Sequence, residues 1–282
     1  MSYRIVGDSC CEIPAALKLD ERLVNVAFGM ELDGEFFTDD ENFDQMDFIK
    51  KVAASKNVAK SSCPSPEAYL EQFQADVERV YVIALSSHLS GSYNSAVLAK
   101  ALYEETHDDK QIFVLDSLGA SSGETLMMLK LMELEEMGLS FEEITEQIVA
   151  YRDSSLLFFV LDDLETLRKN GRLTGLKAVM ATTLKIKPIT YADNGVIEQC
   201  GQAIGSRKAL AKMVDTVVEE GIKREFVWAD RKLVIAHCNC PKRALLVKDL
   251  FEQKQTFKDV VIQDTGGLAT MYANDGGIII CC

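Results

Sequence analysis

Apolar segments alternate with helical patterns along the first half of the chain, and this order restricts the folds that the chain can adopt. Short apolar runs suited to buried strands are separated by segments in which apolar residues recur with the helical period. The strand-like runs cover 3–6, 23–30, 80–85 and 112–115, and the helical segments cover 43–54, 66–77, 92–103, 122–137 and 141–151. Such an order predicts a parallel sheet covered by crossover helices.

The second half of the chain has a different order of elements. Strand-like runs cover 156–161, 186–191, 196–200, 233–237, 260–262 and 278–282, and helical segments cover 176–183, 208–220 and 243–252. Asn194-Gly195 lies between two of these runs and indicates a β-hairpin. Because 282 residues are many for one core, we expect two domains in an α/β fold. Residues 1–154 would hold the parallel sheet with its crossover helices, and residues 155–282 a mixed or antiparallel sheet.

Serine residues follow three of the predicted strands, at residues 7–10 (GDSC), 86–87 (SS) and 116–117 (DS). In an open α/β sheet, ligands bind beyond the carboxyl ends of the strands. Three such turns therefore predict one shared binding edge.

Two hydroxyl-rich segments each lead into a predicted helix. The segment 86–95 (SSHLSGSYNS) joins a buried strand to a helix, and the segment 61–66 (SSCPSP) precedes another helix. Unpaired backbone N–H groups, hydroxyl donors and the positive end of a helix dipole can together hold an anion. The pattern therefore predicts a site for a small acidic head group.

Composition excludes several classes of function. The formal net charge of −14 argues against nucleic acid, whose phosphates would be repelled. No apolar run reaches the roughly 20 residues that span a bilayer, so we expect no integral membrane segment. Arg4, Asp8 and Glu12 interrupt any apolar core of a secretory signal.

The eight cysteines do not form a disulfide framework in sequence, which favours reduced thiols and a cytoplasmic protein. His237, Cys238 and Cys240 lie close together, but no second ligand pair follows at zinc-site spacing. We therefore expect no metal site.

Basic residues are concentrated between residues 168 and 187. This stretch contains six basic residues and no acidic one, in a chain that is acidic overall. Two interpretations remain open: a surface that meets negative charge, or a solvated face countered by nearby carboxylates.

Several of these segments together resemble the DegV family of bacterial fatty-acid-binding proteins, in the family's order and over nearly the whole chain. Residues 8–10 (DSC) are similar to its opening Asp-Ser motif, 61–66 (SSCPSP) to its TSQPSP segment, and 86–93 (SSHLSGSY) to SSGLSGTY. Asp116-Ser117, with Ser121 and Gly123, continues the match. Residues 167–173 (LRKNGRL) are similar to KGGRI, and 185–189 (KIKPI) to IKPI.

The resemblance implies two α/β domains that enclose one long-chain fatty acid between them, with no other cofactor. Ser61 and Ser90 would hold its carboxylate, with Ser62 and Gly91 beside them. A separate fatty-acid kinase would act on this carboxylate, and the acyl phosphate would be carried to phospholipid synthesis. Such a carrier is not itself an enzyme, and its contact with a membrane would be transient. By position, Arg172 and Arg207 would serve the partner surface or the phosphate.

One departure from the family's pattern affects the carboxylate site. The family's C-terminal HTGPG segment supplies a histidine, whereas the matching residues 272–276 read YANDG. Tyr272 can donate one hydrogen bond but carries no positive charge at neutral pH. His88 stands where the family usually has glycine. It either takes over part of the missing role or is a surface histidine at a loop tip.

Other functions use the same residues. Ser90 beside His88, or Cys10 with a histidine, would suit a serine- or cysteine-dependent acyl hydrolase, although Ser90 lacks the Gly-x-Ser-x-Gly setting. A binder of small phosphate ligands would use the same hydroxyl-rich turns. For a lipid, the acyl tail would dominate affinity, and segments 156–160, 176–184 and 278–280 are candidates to line its tunnel.

Overall fold

Strands and helices alternate along the chain in the computed structural model, which describes residues 2–173 and 185–282. The strands are β1 (Tyr3–Asp8), β2 (Leu23–Val26), β3 (Gly29–Leu32), β4 (Glu35–Thr38), β5 (Lys60–Ser62), β6 (Arg79–Ala84), β7 (Gln111–Asp116), β8 (Leu157–Val160), β9 (Ile186–Asp193), β10 (Val196–Ile204), β11 (Lys232–His237), β12 (Asp259–Asp264) and β13 (Ile278–Cys281). The α-helices are α1 (Gln45–Ala54), α2 (Pro66–Phe73), α3 (Ser92–Glu104), α4 (Ser122–Glu136), α5 (Phe141–Ser154), α6 (Glu165–Lys169), α7 (Ser206–Lys223), α8 (Pro241–Glu252) and α9 (Gly267–Ala273). The helix predicted over 176–183 lies outside the described residues.

The predicted parallel sheet forms in the N-terminal half, in the order β2-β1-β6-β7. All three of its strand pairs are parallel. Helices α2 and α3 cover one face, and α4 and α5 cover the other. Every residue of β6 is buried, and after Arg79 the strand is a continuous apolar run rather than an alternating one.

The predicted strand over 23–30 is wrong in its extent, because two strands of different sheets share this run. After β2 the chain turns, and the Phe28 N–H donates a hydrogen bond to Ser9 Oγ at 3.0 Å. β3 then joins a small antiparallel sheet in the order β4-β3-β5. A Cβ at Gly29 would lie 2.6 Å from Ser62 Oγ, so glycine leaves room for this hydroxyl group in its present position.

The C-terminal half forms a mixed sheet in the order β10-β9-β8-β13-β11-β12. The predicted hairpin is present: β9 and β10 are antiparallel, and Asn194 and Gly195 both have positive φ. Two such residues in succession give the hairpin a turn that matches the strand twist.

The mixed sheet has two apolar faces, and β8 shows which side chains belong to each. Leu157, Phe159 and Leu161 point toward the parallel sheet, whereas Phe158 and Val160 pack beneath α7 and α8. This alternation is the period of two of an extended strand.

Helix α4 joins the two halves. It contacts β1 and β6 of the parallel sheet and also β11 and β13 of the mixed sheet. Most of its residues are buried, so one apolar cluster crosses residue 154. The two halves thus share part of their core. The division into domains 1–154 and 155–282 stays a prediction. None of the helices in the described ranges is both long and apolar enough to cross a membrane.

Candidate functional site

A cavity of about 370 Å³ lies between the carboxyl edge of the parallel sheet and the inner face of the mixed sheet. Its wall is mainly apolar: β8 contributes Leu157 and Phe159, the end of β8 Leu161, and β13 Ile279. The predicted lining segments 156–160 and 278–280 thus reach it, whereas 176–184 lies outside the described residues. The cavity falls in the size range of small-molecule sites, roughly 300–1,000 Å³.

The polar part of the wall brings together five residues singled out from the sequence. Ser61 and Ser62 come from β5, Ser90 and Gly91 from the loop after β6, and Tyr272 from α9. The hydroxyl oxygens of Ser61 and Tyr272 are 3.2 Å apart, within hydrogen-bonding distance. The wall of an apolar cavity therefore carries several hydroxyl groups, two of them in contact.

A buried carboxyl group holds the loop that carries Ser90. Asp8, at the end of β1, accepts hydrogen bonds from the Leu85 N–H at 2.8 Å and from the Ser92 hydroxyl at 2.5 Å. It also accepts one from the Cys10 N–H. Ser90 Oγ in turn accepts a hydrogen bond from the Ser92 N–H at 3.2 Å. The serine-bearing ends of β1 and β6 are thus connected to one acid.

Two further buried acids hold the segment that carries Tyr272. Asp39 accepts hydrogen bonds from the N–H groups of Gly267 and Leu268 at the start of α9. Glu12 accepts one from the Gly266 N–H at 3.2 Å. Acceptors at this end of a helix satisfy N–H groups that lack partners within it. The N-terminal half thereby positions Tyr272.

Burial shifts the pKa values of these acids upward. Burial raises the pKa of Glu12 from 4.5 to about 8, although the Ser121 hydroxyl and the Gly266 N–H partly oppose this. The pKa values of Asp8 and Asp39 are raised by the same cause. Burial, with Asp8 nearby, also raises the pKa of Glu124, and neither carboxyl oxygen of Glu124 has a hydrogen-bond partner among the described residues.

A model of the DegV family, described as an uncharacterised protein family, matches residues 2–281. The chain belongs to the DegV family. The resemblance that the sequence motifs carry is therefore confirmed over almost the full chain.

Curated and solved relatives agree with this assignment. A DegV domain-containing protein of Streptococcus pneumoniae (spr0652) is 33% identical over 288 residues, which cover 99% of this chain and 98% of that protein. A DegV structure from Ruminococcus gnavus, described with vaccenic acid, has 46% identity and a TM-score of 0.96, and the match covers 100% of this chain and 99% of that one. The Streptococcus pneumoniae Fatty Acid Kinase (Fak) B3 protein, loaded with linoleic acid, has 32% identity and a TM-score of 0.87, with coverage of 100% and 99%.

Two residues singled out from the sequence are not brought to the cavity of this DegV chain. His88 is exposed, and its ring lies against Gly195 of the hairpin turn rather than on the wall. Arg207 is exposed in the first turn of α7, also away from the wall. The first finding favours the interpretation of His88 as a surface histidine at a loop tip.

Arg172 does reach the cavity wall, and it is half-buried. Its Nε donates a hydrogen bond to the Leu89 carbonyl oxygen at 3.2 Å, which joins it to the loop of Ser90. Within the described ranges no carboxylate pairs with it, whereas Arg168 pairs with Glu165, and Lys187 with Asp162. Part of the basic stretch is therefore countered by carboxylates, while Arg172 adds a cation near the hydroxyl groups. Lys177 lies outside the described residues.

Helix α9 and its supporting acids are the main features that the sequence patterns missed. Asp39 lies in a polar segment, and α9 has only seven residues, too few for a clear helical period. The dipeptide Gly266-Gly267 before an apolar run was the available signal for a boundary in this region.

The raised pKa of Glu12 predicts that the protein loses stability as the pH rises. A carboxyl group whose pKa is 4.5 when exposed and about 8 when folded stabilises the fold fully below pH 4.5. That contribution is lost between pH 4.5 and about 8, at up to about 1.4 kcal/mol per pH unit. Urea unfolding at a series of pH values measures the slope.

A Glu12→Gln variant is the control, since it keeps an acceptor oxygen but cannot ionise. Its unfolding free energy should fall less steeply over the same pH range, because Asp8, Asp39 and Glu124 remain. Equal slopes for the two proteins would contradict the assignment to Glu12.

Proposed function

We propose that this protein binds one long-chain fatty acid in the cavity between its two sheets. The carboxylate lies at Ser61, Ser62, Ser90, Gly91 and Tyr272, and the acyl chain extends along β8. The observation that carries the proposal is the composition of the cavity wall, which is mainly apolar but carries the hydroxyl groups of Ser61, Ser62, Ser90 and Tyr272. Relatives over the full chain length were solved with fatty acids, which supports the same ligand here.

Elementary energetics agree with this ligand. Removing an acyl chain from water contributes about 0.8 kcal/mol per CH₂, or roughly 12 kcal/mol before costs for a sixteen-carbon acid. Each hydrogen bond to a carboxylate contributes about 1.5–3 kcal/mol. The tail therefore supplies most of the affinity, and the hydroxyl cluster sets the orientation.

The carrier function extends to a kinase partner. We propose that a fatty-acid kinase phosphorylates the bound carboxylate while Arg172 stabilises the added negative charge. A solved relative is named as the B3 protein of a fatty acid kinase, which supports such a partner. Arg207, on the exposed first turn of α7, is proposed only as part of the partner surface. In this scheme the protein acts in the cytoplasm and touches the membrane only transiently.

The geometry favours a carrier over a hydrolase. Among the described residues, Ser90 Oγ makes no hydrogen bond to a histidine. Burial raises the pKa of the Cys10 thiol well above its ordinary value, so it remains protonated and a poor nucleophile. A binder of small phosphates would need a polar pocket, whereas this wall is mainly apolar.

Organic extraction of the purified protein followed by mass spectrometry tests the ligand. We expect about one fatty acid per chain, because a buried tail dissociates slowly. A protein that neither retains fatty acid nor binds added fatty acid would refute the proposal. Turnover of an activated acyl ester, blocked by a serine-reactive phosphonate, would favour the hydrolase instead.

The hydroxyl cluster predicts a loss of affinity that depends on the free carboxylate. Ser61→Ala and Ser90→Ala should each weaken binding of a fatty acid about tenfold or more, since a charge-assisted hydrogen bond is lost. Binding of the methyl ester should change little, because it carries no charge. Ser87→Ala, in the same loop but away from the wall, is the matched control. Equal losses for acid and ester would show that the serines do not bind the carboxylate.

Arg172→Ala should reduce phosphoryl transfer by the kinase more than it reduces retention of the lipid. Arg168→Ala is the control, because this exposed arginine forms a surface pair with Glu165. Initial rates with a fatty-acid kinase and the amount of retained fatty acid are measured on the same preparations. Equal loss of both properties in Arg172→Ala would place the arginine in the lipid site rather than in transfer.

A further inference from the structure

A second, smaller cavity of about 90 Å³ lies directly behind the first. The two cavities share four wall residues, Leu118, Gly119, Leu157 and Ala192. The remaining wall of the second cavity is largely polar. It includes Ser117, Arg152, Asp153, Asp193, Asn194 and Arg224. An apolar chamber and a polar chamber are thus separated by a thin partition.

The partition and Tyr272 lie at different positions along β8. Leu161 contacts the region of Ala273 and Gly277, next to Tyr272. Leu157 lies four residues earlier on the same face of β8, about 13 Å away along the strand. A chain with its carboxylate near Tyr272 therefore runs along β8 toward Leu157.

Two glycines make room for the Leu157 side chain. A Cβ atom at Gly123 would lie 2.5 Å from Leu157 Cδ1, and one at Gly119 would lie 3.0 Å from the same atom. Gly123 lines only the second cavity, whereas Gly119 lines both. Because neither glycine has a side chain, the Leu157 side chain can occupy its position between the two chambers.

We propose that Leu157 sets the longest acyl chain that this protein accepts. The inference rests on the proposed fatty-acid function and adds a length limit to it. Beyond Leu157 a growing chain would meet the charged groups of Arg152 and Asp153, and their desolvation is unfavourable. The polar chamber therefore stops the acyl chain even when Leu157 is replaced by a smaller residue.

Leu157→Ala tests the limit, because it removes three carbon atoms from the partition. The cut-off in chain length should move up by about two carbons and no further. For an acid two carbons longer than the wild-type limit, affinity should rise about tenfold, since two more methylene groups leave water. Displacement of a bound fluorescent fatty acid by saturated acids of increasing length measures the cut-off.

Leu156→Ala is the matched control. It is the same substitution one residue earlier, at a buried position that packs in the opposite core beneath α7 and α8. It should lower stability without moving the cut-off. If both variants bind fatty acid and have the same cut-off in chain length, the proposed length limit is refuted and the proposed function stands. A wild-type protein that binds no fatty acid refutes both.

Gly123→Ala tests the same partition, but here the cut-off in chain length should decrease. This test remains available if the Leu157→Ala variant does not fold. Its Cβ would displace Leu157 away from the second cavity and into the first. The cut-off should therefore shorten by one or two carbons. An unchanged or longer cut-off in this variant would overturn the inference.

Discussion

The carboxyl group of Asp8 is the interaction on which the site depends most. It lies fully buried at the end of β1 and accepts hydrogen bonds from the loop after β6 and from the first turn of α3. Removing one partner of such a buried group leaves the other unsatisfied, at a cost of about 1–3 kcal/mol. The geometry of the hydroxyl cluster is therefore set by an acid that does not itself line the cavity.

The acids around Asp8 show how the fold holds polar groups close to an apolar chamber. Glu12 and Asp39 accept hydrogen bonds from backbone N–H groups near the start of α9, so their burial is compensated. Glu124 lacks such partners among the described residues, and burial raises its pKa, which favours the neutral form.

Local patterns predicted most of the strands and longer helices, because apolar period and turn residues act over short distances. The hairpin at Asn194-Gly195 and the buried strand β6 are examples. The prediction of one strand over 23–30 was wrong, because the Phe28 N–H hydrogen-bonds to Ser9, which follows β1 and is distant in sequence. The serine-rich segments 61–66 and 86–95 were visible in sequence, and the fold brings Ser61, Ser62 and Ser90 to one cavity wall. The exposed position of His88 and the partition at Leu157 depend on contacts between the two halves, which no local pattern contains.

The attachment of α9 to Asp39 has a consequence for how the protein reaches its native state. These hydrogen bonds join residues 228 and 229 positions apart in sequence. Forming contacts of such long range costs the entropy of closing a large loop, and this cost slows folding. The wall that carries Tyr272 therefore depends on contacts that only a chain synthesised almost to its end can make. A chain that has not made these contacts would lack the side of the cavity wall that α9 supplies.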